Sequence, residues 1–138
     1  MAFMSTSEYF PLRLNPGQDL KKEIQSFCLS KGIKAGAIVA AVGSLSVARL
    51  RLATAVTFEE FSGPFEILSL SGTLSLDAVH LHISLADKKG LCIGGHLVDG
   101  SVIYTTAELI LLALPNYEFK RSLDSQTGYK ELDIKFSK

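Results

Sequence analysis

The sequence predicts an α+β fold in which a mostly antiparallel β-sheet packs against one main helix. Two observations favour this class. A single segment, about residues 18–31, repeats apolar side chains at helical spacing. The rest of the chain consists of short alternating or apolar segments separated by Gly, Pro and Asp turn residues. Strands joined by short turns pair antiparallel, so we expect a meander with the helix on one side.

The N-terminal part predicts the first strand and the helix. Residues 9–14 alternate loosely and precede an Asn-Pro-Gly turn at residues 15–17. The helix should begin near Gln18 or Asp19, because an acidic side chain there suits the helix dipole. Gly32 provides a left-handed stop. The predicted buried stripe of this helix consists of Leu20, Ile24, Phe27 and Cys28.

Apolar and alternating segments predict strands in the middle of the chain. Residues 37–42 are apolar and partly β-branched, and the dipeptide Gly43-Ser44 is expected to end this strand. Residues 47–53 alternate, which places Arg49 and Arg51 on one side of a half-buried strand. Gly63-Pro64 is expected to form a turn before a strand over residues 65–72.

A hairpin and one further strand are predicted next. The bend of the hairpin is at Asp77-Ala78, and a second turn at residues 87–90 follows the return strand of the hairpin. Residues 91–98 then form the third strand of the meander. The return strand has two faces: one carries Val79, Leu81, Ile83 and Leu85, and the other carries His80, His82 and Ser84.

Residues 104–114 fit either a buried helix or a buried strand. We favour the strand, because Pro115 follows and the segment is rich in β-branched residues. A turn at residues 124–128 then precedes an alternating tail with Leu132, Ile134 and Phe136.

Length and composition limit the classes of protein. The 138 residues fit one domain, residues 1–138, and 47% hydrophobic residues suffice for a core. Lys plus Arg and Asp plus Glu number 14 each, and this neutrality argues against tight, autonomous DNA binding. No secretory signal or membrane-spanning run is visible. Cys28 and Cys92 read as small buried hydrophobes, so we expect a reducing, cytoplasmic location and no membrane partner.

All three histidines of the chain lie within seventeen residues, in the pattern H-L-H … G-G-H. An H-x-H pair on a strand turns both rings to one face, since strand side chains alternate. His80 and His82 can therefore share an ion, and His96 from a neighbouring strand would complete a three-histidine site. Such sites typically hold zinc or a similar divalent ion and leave one position open. A purely structural role of the three rings stays open as the alternative.

The sequence resembles the PPC domain (plants and prokaryotes conserved), which is attached to AT-hook nuclear proteins in plants and occurs alone in prokaryotes. The segment Gly-Pro-Phe-Glu-Ile-Leu-Ser that begins at Gly63 is fairly specific for it. The matching residues are 14–20, 41–45, 50–51, 63–72, 80–87, 94–97, 106–108 and 124–128.

The resemblance implies a large antiparallel sheet or half-barrel with a flanking helix, assembled as a homotrimer. It also implies the label 'DNA-binding protein', which single-domain prokaryotic members usually carry. The resemblance matches His80, His82 and His96 to metal-binding positions of some prokaryotic members. The Arg-Gly-Arg-Pro hook that enters an A·T minor groove is missing. What remains is the domain that mediates assembly and partner contact.

Two functional hypotheses follow. The first is an oligomeric, non-enzymatic module that touches DNA weakly and non-specifically, or binds another protein. Basic residues available for DNA are Arg49, Arg51, Lys120, Arg121, Lys130, Lys135 and Lys138, although interleaved acids make ordinary solvated surface the simpler interpretation.

The second hypothesis is a zinc-dependent enzyme or small-molecule binder that uses the histidines. The fold is similar to that of acetolactate decarboxylase, a zinc enzyme with three histidine ligands, but a fold is a weak warrant for function. Glu66 and Glu108 are candidates for a base or an extra ligand, although a strand carboxylate that pairs with Arg or faces solvent is the simpler interpretation of each. Arg51 could hold an anionic substrate or form a structural ion pair. Whether the chain is an enzyme stays open.

Overall fold

A computed structural model of the protein describes residues 6–137. One helix and eight strands lie in this range, and all strand pairs are antiparallel, which confirms the predicted α+β class. In chain order the elements are β1 (Glu8–Leu14), α1 (Leu20–Lys31), β2 (Gly36–Arg51), β3 (Phe58–Leu74), β4 (His80–Ala86), β5 (Cys92–Leu97), β6 (Val102–Ala113), β7 (Tyr117–Leu123) and β8 (Lys130–Phe136).

Six strands form the main sheet, in the order β1-β6-β2-β3-β4-β5. The long strand β2 also pairs with β5, through Leu50 with Leu97 and Arg51 with His96. Strands β2, β3, β4 and β5 are therefore linked in a ring of pairings. Strands β7 and β8 form a separate two-stranded hairpin. The segment 104–114 is a strand, as favoured from its composition.

The helix is capped at both ends, as its sequence predicts. One carboxylate oxygen of Asp19 accepts from the backbone N–H of Lys22 at 3.0 Å, and the other accepts from Gly100 at 2.6 Å. Gly32 ends the helix with φ +66°. Leu20, Ile24 and Cys28 are buried against the sheet, while Phe27 is half-buried. The helix begins at Leu20, one residue after the capping aspartate.

The hydrophobic core lies between the helix and the sheet. Strand β4 shows the difference between the core-facing side of the sheet and its other side. Leu81, Ile83 and Leu85 are buried in the core, as is Val79 just before the strand. His80, His82 and Ser84 alternate with them on the other face, where their side chains are half-buried or exposed. The predicted two faces of this strand are confirmed.

Two predicted breaks in the strands were wrong. The chain continues as β2 through Gly43-Ser44 and as β3 through Gly63-Pro64. Gly43 adopts φ +146° at a register shift between β2 and β6, so a bulge replaces the expected break. Gly63-Pro64 lies where the β2–β3 register shifts between Leu45 and Val47, and a bulge tolerates a residue that lacks an N–H.

The two cysteines differ from each other. Cys28 is buried in α1, and burial raises the pKa of its thiol to about 11. Cys92 is exposed at the start of β5, so the expectation that both are buried was wrong for this residue. Both thiols are free. Within residues 6–137, no helix is both long enough and apolar enough to cross a membrane.

The bulge at Gly43 gives a direct test of the sheet. A β-carbon at this position would collide with the backbone carbonyl of Thr106 in β6. We expect Gly43→Ala to lower the free energy of unfolding by about 2–4 kcal/mol. Gly128→Ala is the control, because it also has positive φ but open space around it, and should cost about 1–2 kcal/mol. Equal losses in urea titrations would contradict the close approach.

Candidate metal centre

The three histidines converge on one face of the sheet. His80 and His82 come from β4, and His96 comes from β5, where it is directly opposite His82 in the strand register. The ring centroids are 5.0 Å apart for His80 with His82, 5.0 Å for His80 with His96 and 5.6 Å for His82 with His96. The structure thus brings together the three side chains that the sequence singled out.

The geometry of this cluster suits a metal ion. One ring nitrogen from each histidine lies within 4.8 Å of the other two. Nitrogens on a tetrahedral zinc ion are roughly 3.4 Å apart, so small side-chain rotations bring the rings to coordination distance. Imidazole suits zinc, copper, iron and nickel. Three such ligands leave a fourth position open for water or another oxygen donor.

The electrostatic surroundings keep two of the rings neutral. Burial, together with the charges of Arg51 and of the neighbouring histidines, lowers the pKa of His96 to about 4. Burial also lowers the pKa of His80, with Arg121 as the next largest cause. A neutral imidazole is the form that binds a metal ion. Near pH 7 these two rings therefore need not lose a proton before the site can bind a metal ion.

Arg51 is placed at the cluster by the β2–β5 pairing. Its Nη2 atom donates to Nδ1 of His96 at 3.3 Å. The direction of this hydrogen bond is fixed, because a guanidinium group has donors and no acceptor. The neutral His96 ring therefore carries its own proton on Nε2. The structure thus places Arg51 beside His96, whereas its suggested role in holding an anionic substrate stays a prediction.

Glu66 and Glu108 are not brought to the histidines. Glu66 in β3 is opposite Ser44 and Ala86, and Glu108 in β6 is opposite Val42 and Arg13. Neither residue lines the cavities beside the three rings. Their suggested roles as base or extra ligand stay predictions that no contact supports.

Two cavities flank the cluster. One of about 530 Å³ is bordered by small residues of β3, β4 and β5, including Ser71, Ser84 and Gly94, together with His82 and His96. The other, of about 710 Å³, lies between the histidines and the β7–β8 hairpin, which contributes Arg121 and Lys130. The sequence had offered these two cations only as surface charge for DNA, since nothing local predicts where a hairpin docks.

A profile of the Plants and Prokaryotes Conserved (PCC) domain matches residues 1–115. The chain belongs to this family. The resemblance seen in the sequence, under the name PPC, is thereby confirmed, although residues 124–128 and the whole β7–β8 hairpin lie beyond the matched range. The chain is also 50% identical over 125 residues to the bifunctional protein GlmU of two Synechococcus strains. These residues are 91% of the chain and 20% of GlmU, so the chain spans about a fifth of that relative.

Solved structures of the PCC fold superpose closely. A hypothetical protein from Salmonella enterica has a TM-score of 0.92 and 36% identity, and 96% of each chain is covered. A metal-containing protein from Archaeoglobus fulgidus has a TM-score of 0.76 and 33% identity, covering 91% of this chain and 92% of that one.

More distant structures share the fold alone. A protein from Bacteroides thetaiotaomicron whose name refers to DNA binding has a TM-score of 0.80 and 22% identity, covering 91% of both chains. Acetolactate decarboxylase from Bacillus subtilis has a TM-score of 0.51 and 15% identity, covering 76% of this chain and 52% of the enzyme.

The depressed pKa of His96 predicts how the metal-free protein responds to acid. An unfolded histidine titrates near ~6.5, so between about pH 6.5 and pH 4 the unfolded chain binds more protons than the folded chain. Stability should therefore fall as the pH drops through this range, and less steeply for His96→Gln. The measurement is a series of urea titrations, together with NMR titration of the His96 ring, whose midpoint should be about 4. A midpoint near ~6.5 would refute the burial described above.

Proposed function

We propose that this PCC protein is a self-associating module that holds one divalent metal ion, zinc by preference, on His80, His82 and His96. The observation that carries the proposal is the convergence of three ring nitrogens within 4.8 Å on one sheet face. The lowered pKa values of His80 and His96 add support, because they keep these ligands in the binding form. The metal-containing relative from Archaeoglobus agrees with it.

The backbone around the cluster is built for close approach. Gly94 and Gly95 precede His96, and a β-carbon on Gly95 would meet the carbonyl oxygen of Arg51 at 3.0 Å. The glycines thus let β5 lie tightly between β4 and the end of β2, which fixes His96 beside His82. When bound, the metal ion would supply a Lewis acid with an open coordination position.

Removal of one ligand tests the metal site. We expect wild-type protein, purified without an affinity tag, to bind one zinc ion per chain. His82→Ala should weaken zinc binding at least about 100-fold, because two imidazoles remain. Zinc at about 100 times its Kd for the wild type should stabilise the wild-type protein by about 2.7 kcal/mol and the variant by no more than about 0.4 kcal/mol.

Ser84→Ala is the matched control, because Ser84 is exposed on the same face of β4, one alternation beyond His82. Metal content follows from elemental analysis and affinity from competition with a chelating dye. Equal zinc affinity of all three proteins would remove the proposed centre.

The homotrimer implied by the resemblance also belongs to the proposal. The face of the sheet opposite α1 carries an apolar patch that we call the outer sheet patch. It consists of Tyr9, Ala40, Val42, Leu68, Ile110 and Leu112. Pairing of β1, β6, β2 and β3 brings these residues side by side, and Val42 is 57% exposed. A contiguous apolar patch on a sheet face is typical of an interface between subunits.

A charge within the outer sheet patch tests the assembly. We expect the wild-type protein to have three times the chain mass of 14.9 kDa in size-exclusion chromatography with light scattering. Val42→Glu should yield the monomer, because it buries a carboxylate next to Glu108 in the interface. Leu123→Glu is the control, since Leu123 is 74% exposed on the hairpin, away from the patch. A monomeric wild type, or a trimeric Val42→Glu, would contradict this interface.

DNA contact is the weaker part of the proposal. It is supported by the name of the Bacteroides neighbour and by the basic side chains of the β7–β8 hairpin. Lys120 and Lys135 of that hairpin, however, are paired with carboxylates at 3.0 Å and 3.8 Å. With a formal net charge of zero, few cations are left to neutralise phosphates. We therefore place metal binding and assembly first, and keep one domain and a cytoplasmic location as predictions.

A second candidate function is that of a zinc-dependent enzyme or small-molecule binder at the same centre. The observation that favours it is the pair of cavities beside the cluster, because an open coordination position needs room for a ligand. The acetolactate decarboxylase comparison contributes the fold only. Glu66 and Glu108 line neither cavity, and Glu131, which lines one of them, accepts a hydrogen bond from Thr127, so ligand binding is better supported than catalysis.

A further inference from the structure

The cavity between the histidines and the β7–β8 hairpin has a strongly cationic lining. We call it the hairpin cavity. Its charged walls are Lys21, Arg51, Arg121 and Lys130 on the basic side and Asp77 and Glu131 on the acidic side. Four cations against two carboxylates, with the proposed ion at the rim, give a positive potential in a concave site. Such a site attracts small anions.

The arginines of this cavity are available to a ligand. Among residues 6–137, neither Arg51 nor Arg121 has a carboxylate within salt-bridge distance. Nη2 of Arg121 donates to the hydroxyl of Thr73 at 3.0 Å, which fixes the guanidinium group but leaves its charge uncompensated. Asp77 lies near but is engaged by Lys120 at 3.6 Å and by the backbone N–H of Arg121.

Lys21 differs from the two arginines, because it pairs with Asp99 at 3.6 Å. Within residues 6–137 the unpaired charge of the cavity wall is therefore that of the two guanidinium groups and of Lys130. Guanidinium groups hold carboxylate and phosphate oxygens with two parallel hydrogen bonds. This donor geometry points to an oxygen anion as the ligand.

His96 links this cavity to the metal centre. A neutral imidazole has one acceptor nitrogen, and in the structure that nitrogen accepts from Arg51. His96 cannot accept this hydrogen bond and act as a metal ligand at the same time. If His96 becomes a ligand, the guanidinium group of Arg51 must turn away from it. Arg51 lines both cavities beside the cluster, and the hairpin cavity is the one that also contains the unpaired guanidinium group of Arg121.

We propose that the hairpin cavity binds a small organic anion whose carboxylate or phosphate oxygens are held by Arg51 and Arg121. Arg51 becomes free for this role when His96 loses its hydrogen bond from Arg51 and binds a metal ion instead. This inference rests on the proposed function and names the ligand class of its site. Because the hydrogen bond from Arg51 to His96 opposes metal binding and a bound anion stabilises the released Arg51, metal and anion should bind with positive cooperativity.

The experiment uses full-length protein loaded with cobalt(II), whose absorption reports coordination. Succinate and glycerol 3-phosphate are titrated in separate calorimetric runs, which distinguishes a carboxylate ligand from a phosphate ligand. We expect at least one of them to bind the loaded protein, and to bind the metal-free protein about tenfold more weakly. Arg121→Gln should weaken anion binding about tenfold or more, the usual loss for a charged hydrogen-bonding partner. Its cobalt affinity should stay near that of the wild type.

Lys135→Gln is the charge-matched control, because it removes one positive charge from the same hairpin outside the cavity. Arg51→Gln has a distinct signature: anion binding falls about tenfold while cobalt affinity rises several-fold, since a shorter, uncharged amide replaces the guanidinium donor to His96. Circular dichroism shows that each variant folds.

The outcomes separate the two proposals. Protein that takes up no cobalt overturns the proposed metal centre. Protein that takes up cobalt but binds neither anion overturns the anion site and leaves the metal centre standing. Equal anion affinities of Arg121→Gln and Lys135→Gln would show that only net charge attracts the ligand, which also overturns the site. Unchanged or weakened cobalt binding by Arg51→Gln would overturn the exchange at His96.

Discussion

The contact between the end of β2 and β5 organises the rest of the site. Through Leu50 with Leu97 and Arg51 with His96, a strand that already pairs with β3 and β6 also closes onto the far edge of the sheet. The buried leucines of this contact belong to the core, and the polar pair beside them belongs to the site. The same few residues thus hold the sheet closed and position the third histidine.

Strand alternation explains how the histidine cluster can lie directly against a hydrophobic core. In β4 every second side chain is a fully or nearly buried aliphatic, and the residues that alternate with them include both imidazoles. Packing of Leu81 and Ile83 fixes the backbone, and this rigidity limits the directions in which His80 and His82 can point. A one-residue slip of β4 would move both rings into the core, so core packing and site geometry cannot change independently.

Sequence alone predicts the parts of this structure that depend on local pattern. The spacing of Leu20, Ile24 and Cys28 predicts the helix, and H-x-H on an alternating strand predicts two rings on one face. The predicted strand ends at glycine were wrong because the partner strand decides whether a strand can continue through a bulge. From the sequence alone Gly43 predicts a strand end, and only the position of β6 against it shows a bulge. The role of Arg121 is invisible for the same reason, since its approach to His80 depends on how the hairpin docks. Glu66 and Glu108 are ordinary strand residues by pattern, and only the register separates them from the site.

The division between the family domain and the hairpin has a consequence for how such proteins could diversify. The matched region ends at residue 115, whereas Arg121, Tyr129 and Lys130 come from the strands and turn that follow. The imidazoles and the wall that faces them are thus carried by separate pieces of chain. Exchange of β7 and β8 would change the lining of the hairpin cavity and leave the three histidines in place. One scaffold could in this way present the same imidazoles to differently charged surroundings through a replaceable hairpin.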